Sequence, residues 1–447
     1  MKISKFIAVA LVAVLAVAFL VGCSDETTTP TAPGTQDTIT ILSGTIVDNM
    51  TLSADKAYLL RGGVFVGRKD DPNKSTTLTI PAGTTIYGES TTDGMLVISR
   101  GGKIDAQGTA SKPIVFTSDR KPGERARGDW GGVIINGWAP LNTGAEAEGE
   151  GGTGPYGGTN AADNSGILKY VRVEFAGREI SPDNELNGIA FQGVGSATVV
   201  DYIQVHMNKD DGVEFFGGTV NAKHVYISGV ADDLFDWTDG WTGKGQFWVG
   251  HQFPDDCDNG FEADNSAEDN EAHPRSKPTV YNITLVGAKD ANGKSDDGML
   301  LREGTAGVFK NVIITNFGET AVDIDHSATF NNAWNSTNSS LNGNLVLDNA
   351  IIWQNTTEYN SDADEAGFPF TTMAFVQTLN ANNRFVDPGL VDPVNTTSPN
   401  YLPTTGSAAT SGYASVPVDG WFDTANYVGA FAPGQNWLAG WTTHARN

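Results

Sequence analysis

The chain has 447 residues, among them 53 Gly, 19 Pro and 9% aromatics, so it is rich in turns yet holds enough large apolar residues for a sizeable core. Its 28 Lys and Arg stand against 53 Asp and Glu, a net charge of −25. That balance leaves nothing to neutralise a phosphate backbone, which excludes nucleic acid as a partner, and it favours hard cations such as calcium.

Residues 1–22 read as a signal peptide: Lys2 and Lys5 form a charged start, and residues 6–21 are an almost unbroken apolar run, short for a membrane span. The run closes in Leu20-Val21-Gly22-Cys23, which resembles the lipobox of bacterial lipoproteins. The resemblance implies cleavage before Cys23 and acylation of that cysteine, an anchor of three chains that holds firmly. Ser24 stands where an Asp would resemble an inner-membrane retention signal, and Asp25-Glu26 resembles the acidic export tag of surface lipoproteins. The expected location is therefore the bacterial outer membrane, lipid-anchored and surface-exposed, with contact to the membrane through the anchor only. After the lipidated cysteine, residues 23–37 continue as a Thr/Pro linker. Loss of Lys2 and Lys5 takes the net charge from −25 to −27. Cys257 is then the one free thiol and is expected as a packed residue, because no second cysteine remains for a disulfide framework.

Residues 38–447 read as one all-β domain. The first strand-like segments are residues 75–88, 94–109, 112–118 and 128–142. Residues 145–165 form an acidic, Gly-rich insertion, expected to be flexible. It contains Gly152, Gly154 and Gly157 at dinucleotide-fingerprint spacing, but no strand precedes them and no helix follows. From residue 187 a repeat takes over. A polar turn precedes a short alternating strand at Asn187, Asp211, Asp233, Asn259, Asp297 and Thr320, in steps of 24, 22, 26, 38 and 23 residues. The long step holds the polar insertion 266–278. Each unit carries a second strand-like run about 12 residues on, and nothing has sustained helical periodicity.

A period of 22–26 residues with strands of this length describes one coil of a right-handed, single-stranded parallel β-helix, here of about a dozen coils stacked about 4.8 Å apart. A propeller blade needs about 40 residues. With the ending at residues 427–431 and 437–441, these segments resemble bacterial cell-surface lipoproteins built on a parallel β-helix of the pectate-lyase-like superfold, over most of residues 76–442.

Alternation sorts the side chains. Inward positions read Ile189/Phe191, Val213/Phe215, Phe235/Trp237, Phe261/Ala263, Met299/Leu301 and Val322/Ile324, all apolar. Outward positions include Glu214, Asp236, Glu262, Asp264, Asp323 and Asp325, with Arg302 among them. Stacked like charges need neutralising, so Glu214, Asp236, Glu262 and Asp264 form a candidate calcium site; screening by solvent is the alternative. The turn column Asp211, Asp233, Asn259 and Asp297 is expected to close successive coils by capping backbone N–H groups. Phe216, Trp241 and Trp248 are candidate sugar-stacking residues, or equally a cover for the core.

Two enzyme families of this architecture offer further expectations. Pectate-lyase-like enzymes pair calcium-binding carboxylates with a basic residue, the part that Arg302 would take. Polygalacturonase-type hydrolases use Asn-x-Asp, Asp-Asp and Gly-His-Gly. Here Asn208-Lys209-Asp210, Asp232-Asp233 and Gly250-His251 are similar, but Gln252 replaces the second glycine and Arg302-Glu303 departs from Arg-Ile-Lys. Asp210, Asp232 and Asp233 are the candidate hydrolytic carboxylates, and His251 falls off the front face in this register. The leading expectation is a surface-anchored lipoprotein that binds polysaccharide or another surface ligand through an acidic, calcium-loaded face. The alternatives are a polysaccharide lyase or glycoside hydrolase acting on acidic polysaccharide, and a structural or adhesive spacer.

Overall fold

The coils of the chain are wound from three parallel sheets. The computed structural model describes residues 39–68, 74–182, 184–289, 294–360 and 367–447. The signal peptide, Cys23 and the linker expected over residues 1–37 lie outside the described residues.

Among the described residues, one hydrogen-bonded network of 23 strands forms a right-handed parallel β-helix, the hand that parallel crossovers take. One sheet, the front, stacks Met95–Ile98, Gly132–Asn136, Ile189–Gln192, Val213–Phe216, Phe235–Thr238, Phe261–Ala263, Leu300–Leu301 and Asp323–Ile324. The register follows the alternation: Ala190, Glu214, Asp236, Glu262, Leu300 and Asp323 face one another in successive coils. The apolar partners Ile189, Phe191, Val213, Phe215, Phe235 and Trp237 are fully buried in the core. Their rings stack along the axis, Phe191 on Phe215 at 5.3 Å and Phe235 on Trp248 at 4.7 Å between centroids.

The other two sheets share long strands: Gly166–Glu174, Val199–His206, Asn221–Ser228, Lys244–His251, Thr279–Val286 and Gly307–Thr315. Each bends at one left-handed residue, Tyr170, Tyr202, His224, Phe247, Asn282 and Asn311, with φ between 47° and 60°. Asn tolerates that conformation well, and aromatic residues do not. Here the rings offset the strain by stacking coil on coil, Tyr170 on Tyr202 at 4.4 Å, Tyr202 on His224 at 4.0 Å and His224 on Phe247 at 4.9 Å.

The last strand of the stack is Ile351–Trp353. Later residues run back outside the coils, where Tyr401, Phe431, Leu438 and Trp441 pack on Tyr226, Val249 and Val286. The insertion at 145–165, expected as a flexible loop, carries regular structure. Ala147–Gly149 and Gly154–Tyr156 pair as an antiparallel hairpin, and Tyr156 and Ala147 join Phe216, Ala190, Ile134 and Leu186 in an apolar cluster on the outer side of the front sheet. Outward apolar residues at those rungs supply the surface that orders it.

Candidate functional site

The turn before each front strand brings its polar residues into a ladder. Asp211 Oδ1 accepts the Asp233 N–H at 3.0 Å, Asp233 Oδ1 that of Asn259 at 2.7 Å, Asn259 Oδ1 that of Asp297 at 3.0 Å, and Asp297 Oδ1 that of Thr320 at 3.0 Å. This is the capping expected of the turn column, with each side chain closing the next coil's turn. Asp233, a candidate hydrolytic carboxylate, is thus buried, with its Oδ1 taken by the Asn259 N–H.

The front carboxylates point outward, but they are not exposed. Glu214 is only 7% and Asp236 9% accessible. Asp211, Glu214 and Asp236 each offer an oxygen within 4.8 Å of the others, as do Asp210, Asp211 and Asp232, and Asp232, Asp233 and Asp258. Among the described residues no Lys or Arg pairs with Asp211, Glu214 or Asp236. Burial, reinforced by these like charges, therefore holds all three well above the ordinary carboxylate range. Asp210 is pushed up to about 8 by burial and by Asp232, and Asp258 to about 7 by burial, Asp232 and Asp296. Glu150, carried by the hairpin, rises to about 7 through burial, Glu185 and Asp239. Asn187 Nδ2 donates to Glu214 Oε2 at 2.6 Å, while Asn187 Oδ1 and Asp236 Oδ1 are buried without a hydrogen-bond partner.

The four carboxylates expected to hold one cation divide into two pairs. Glu214 and Asp236 gather with Asp211, whereas Glu262 and Asp264 belong to Arg302. The Arg302 Nη2 lies 2.5 Å from Glu262 Oε1, and its Nε 2.9 Å from Asp264 Oδ1. Arg302, expected as the basic residue of a lyase-like site, is thus held between two carboxylates. Burial alone would lower the guanidinium, but the hydrogen bonds it donates to Asp264 and the charges of Glu262 and Asp264 more than reverse that, so it holds its proton still more tightly.

The aromatic expectation is also corrected. Trp241 and Trp248 are wholly buried, with Trp241 Nε1 donating to the Val220 carbonyl at 3.1 Å and Trp248 Nε1 to that of Ala222 at 3.0 Å. Phe216 lies beneath Tyr156, ring centroids 6.2 Å apart. None of the three presents a face to a sugar. Trp248 turns inward because the left-handed Phe247 resets the alternation, and Trp241 follows Gly240, whose φ of 88° folds the turn back onto the core. His251 is buried on the far side, its Nδ1 2.7 Å from the Tyr401 hydroxyl, so it cannot complete a hydrolytic set with Asp210 and Asp232. Cys257 is buried and its thiol is pushed up to about 12, mainly by burial, as a packed residue's would be.

Three residues escaped the sequence reading. Asp211 was legible only as a turn cap, although it also faces the cluster. Asn187 sits at the same turn position one coil earlier, and that position was the available signal. Glu150 lies in a segment with no periodicity, and only the folded hairpin brings it to the face.

A family model described as a pectate-lyase like beta helix domain matches residues 44–386. No curated protein matches the chain in sequence. Among solved structures, the crystal structure of Dettilon tailspike protein (gp208) is similar at 12% identity and a TM-score of 0.22, covering 72% of this chain and 62% of that one. The chain thus spans less than two thirds of that tailspike chain, and the likeness is too low to equate individual coils.

Proposed function

The chain belongs to the family of pectate-lyase like beta helix domains, and from that premise we propose that it is a surface-anchored lipoprotein that binds polysaccharide at the acidic, cation-loaded front of its β-helix. The reading rests on the buried group Asp211, Glu214 and Asp236, three acids with oxygens within 4.8 Å and, among the described residues, no Lys or Arg paired with them. Such a group is stable when protonated or when a hard cation sits among its oxygens. The unpartnered Asp236 Oδ1 and Asn187 Oδ1 fit the second state, because each is a buried oxygen without a donor. Asp211, Glu214 and Asp236 would hold the ion. Calcium there would supply the positive charge through which so acidic a chain retains an acidic glycan. The rim of partly buried carboxylates, Asp210, Asp232, Asp258 and Glu262, is where a glycan would meet the protein. The anchor is proposed from the lipobox-like sequence ending at Cys23.

Binding is favoured over elimination because Arg302 is locked between two carboxylates. Hydrolysis has one observation in its favour: Asp210, pushed up to about 8, lies beside Asp232, a pair of neighbouring carboxyl groups of the kind acid/base hydrolysis uses. The test takes residues 24–447 and follows retention on acidic and neutral polysaccharides, with calcium and with chelator, together with new reducing ends and unsaturated-uronide absorbance. Retention of an acidic polysaccharide that chelator abolishes, without product, is the expected result. Reducing ends lost in Asp210→Asn would make the protein a hydrolase, and neither retention nor product would leave it a spacer.

A further inference from the structure

Two half-buried aromatic residues, Trp421 and Phe422, lie where a segment after the last coil crosses the flank of the helix. Residues 414–426 form a strap over the first residues of Val199–His206, Asn221–Ser228 and Lys244–His251. Asn311 grips one end, Nδ2 donating to the Ala414 carbonyl at 2.9 Å and Oδ1 accepting its N–H at 2.6 Å. Lys244 pairs with Asp419 at 2.5 Å and Lys223 with Asp423 at 2.7 Å, while Gln246 exchanges two 2.8 Å hydrogen bonds with the Asp423 backbone. The strap is thus held in place before any ligand arrives.

Two cavities open beside it. One of about 240 Å³ lies between Trp421 and Ser196, Asp201, Asn221 and Lys223. The other, of about 300 Å³, is walled by Val418, Phe422, Thr424 and Asn426. Trp421 and Phe422 are adjacent, their rings 4.8 Å apart and nearly perpendicular at 89°, so each cavity receives one ring. We propose that the strap is a carbohydrate site for a neutral glycan, taking one pyranose against Trp421 and a second against Phe422, and that it works without a cation.

The chemistry of the first cavity selects that ligand. Its charges are internally balanced: Lys223 by Asp423 at 2.7 Å and Asp201 by Lys169 at 3.7 Å, with His224 Nδ1 hydrogen-bonded to Asp201 at 2.8 Å. A balanced site in a chain of net charge −25 neither attracts nor repels on charge, so it suits an uncharged molecule. The Lys223 Nζ, 4.8 Å from the Trp421 ring centroid, fixes the indole plane. Asn221 spends its Oδ1 on the Lys244 N–H and keeps its Nδ2 available. A pyranose presents an apolar C–H face and an equatorial rim of hydroxyls, which an aromatic wall beside an amide and a carboxylate complements. No residue of either cavity belongs to the front carboxylate cluster, so this inference stands apart from the cation reading.

The test is affinity electrophoresis of the purified protein in chelating buffer, through gels containing soluble starch, mixed-linkage β-glucan, galactomannan or xyloglucan. Retardation by at least one of them is expected, weakened at least tenfold by Trp421→Ala and partly restored by Trp421→Phe. Ser196→Trp, a change at an exposed residue that takes no part in the strap's ion pairs, fills the cavity and gives the same loss even if Trp421→Ala unfolds the strap. No retardation in any gel overturns the proposal, and so does unchanged retardation of Ser196→Trp. Retardation that appears only when calcium replaces the chelator belongs to the front face and likewise overturns the proposal.

Discussion

Asn187 donates its side-chain N–H to Glu214 Oε2 over 2.6 Å, across one coil of the helix. Asn187 occupies the turn position that Asp211 fills one coil later, yet it reaches the front carboxylate instead of capping the next turn. A neutral amide is thus the polar group that steadies an acid buried among acids. Glu214→Gln removes one of these charges and keeps the shape. In chelator the variant is expected to melt higher than the parent at pH 8, and calcium should raise its melting temperature less. Calcium affinity should fall about tenfold, equivalent to about 1.4 kcal/mol, measured by titration calorimetry.

Arg302 holds Glu262 and Asp264 together, so its replacement leaves two mostly buried carboxylates uncompensated. Arg302→Ala should cost about 1–3 kcal/mol, less than a fully buried pair because the guanidinium is partly exposed. Denaturant unfolding reads this directly. A variant of unchanged stability that has lost turnover would instead restore a catalytic part for Arg302.

Asp233→Asn and Asp233→Ala separate charge from capping. Asn259 already performs the same task one coil on as an amide, accepting the Asp297 N–H. Asp233→Asn is therefore expected to be neutral or stabilising. Asp233→Ala orphans the buried Asn259 N–H and should cost about 1–3 kcal/mol in the same unfolding assay.

The pH dependence has two opposed limbs. Burial holds His206 and His251 down to about 3. Their unfolded value is about 6.5, so the stability linked to them is full above that pH and is lost as pH falls toward 3. The front acids run the other way. With Asp210 raised to about 8 and Asp258 and Glu262 to about 7, chiefly by burial, their contribution is full below about pH 4 and is lost as pH rises through 7 to 8. In chelator the melting temperature should peak at about pH 5–6, and calcium should extend that plateau to neutral pH. A melting temperature that climbs steadily to pH 9 in chelator would show that the carboxylates are already ionised and compensated.

Period, alternation and turn residues determined the coil by themselves. Val213 and Phe215 had to point inward and Glu214 outward, because a strand has a period of two and an Asp-Gly turn sets its phase. The capping by Asp233 and Asn259 was legible for the same reason, since it joins equivalent positions of neighbouring repeats. What alternation could not give was cover. Outward is not the same as exposed: Glu214 is buried on a face where a hairpin about sixty residues earlier in the chain packs against Phe216 and Ala190, and no periodicity links the two. Nor could composition decide which carboxylates share Arg302, or that Trp241 and Trp248 are core while Trp421 lines a surface cavity. Those outcomes depend on contacts between residues far apart in sequence, which a local pattern does not encode.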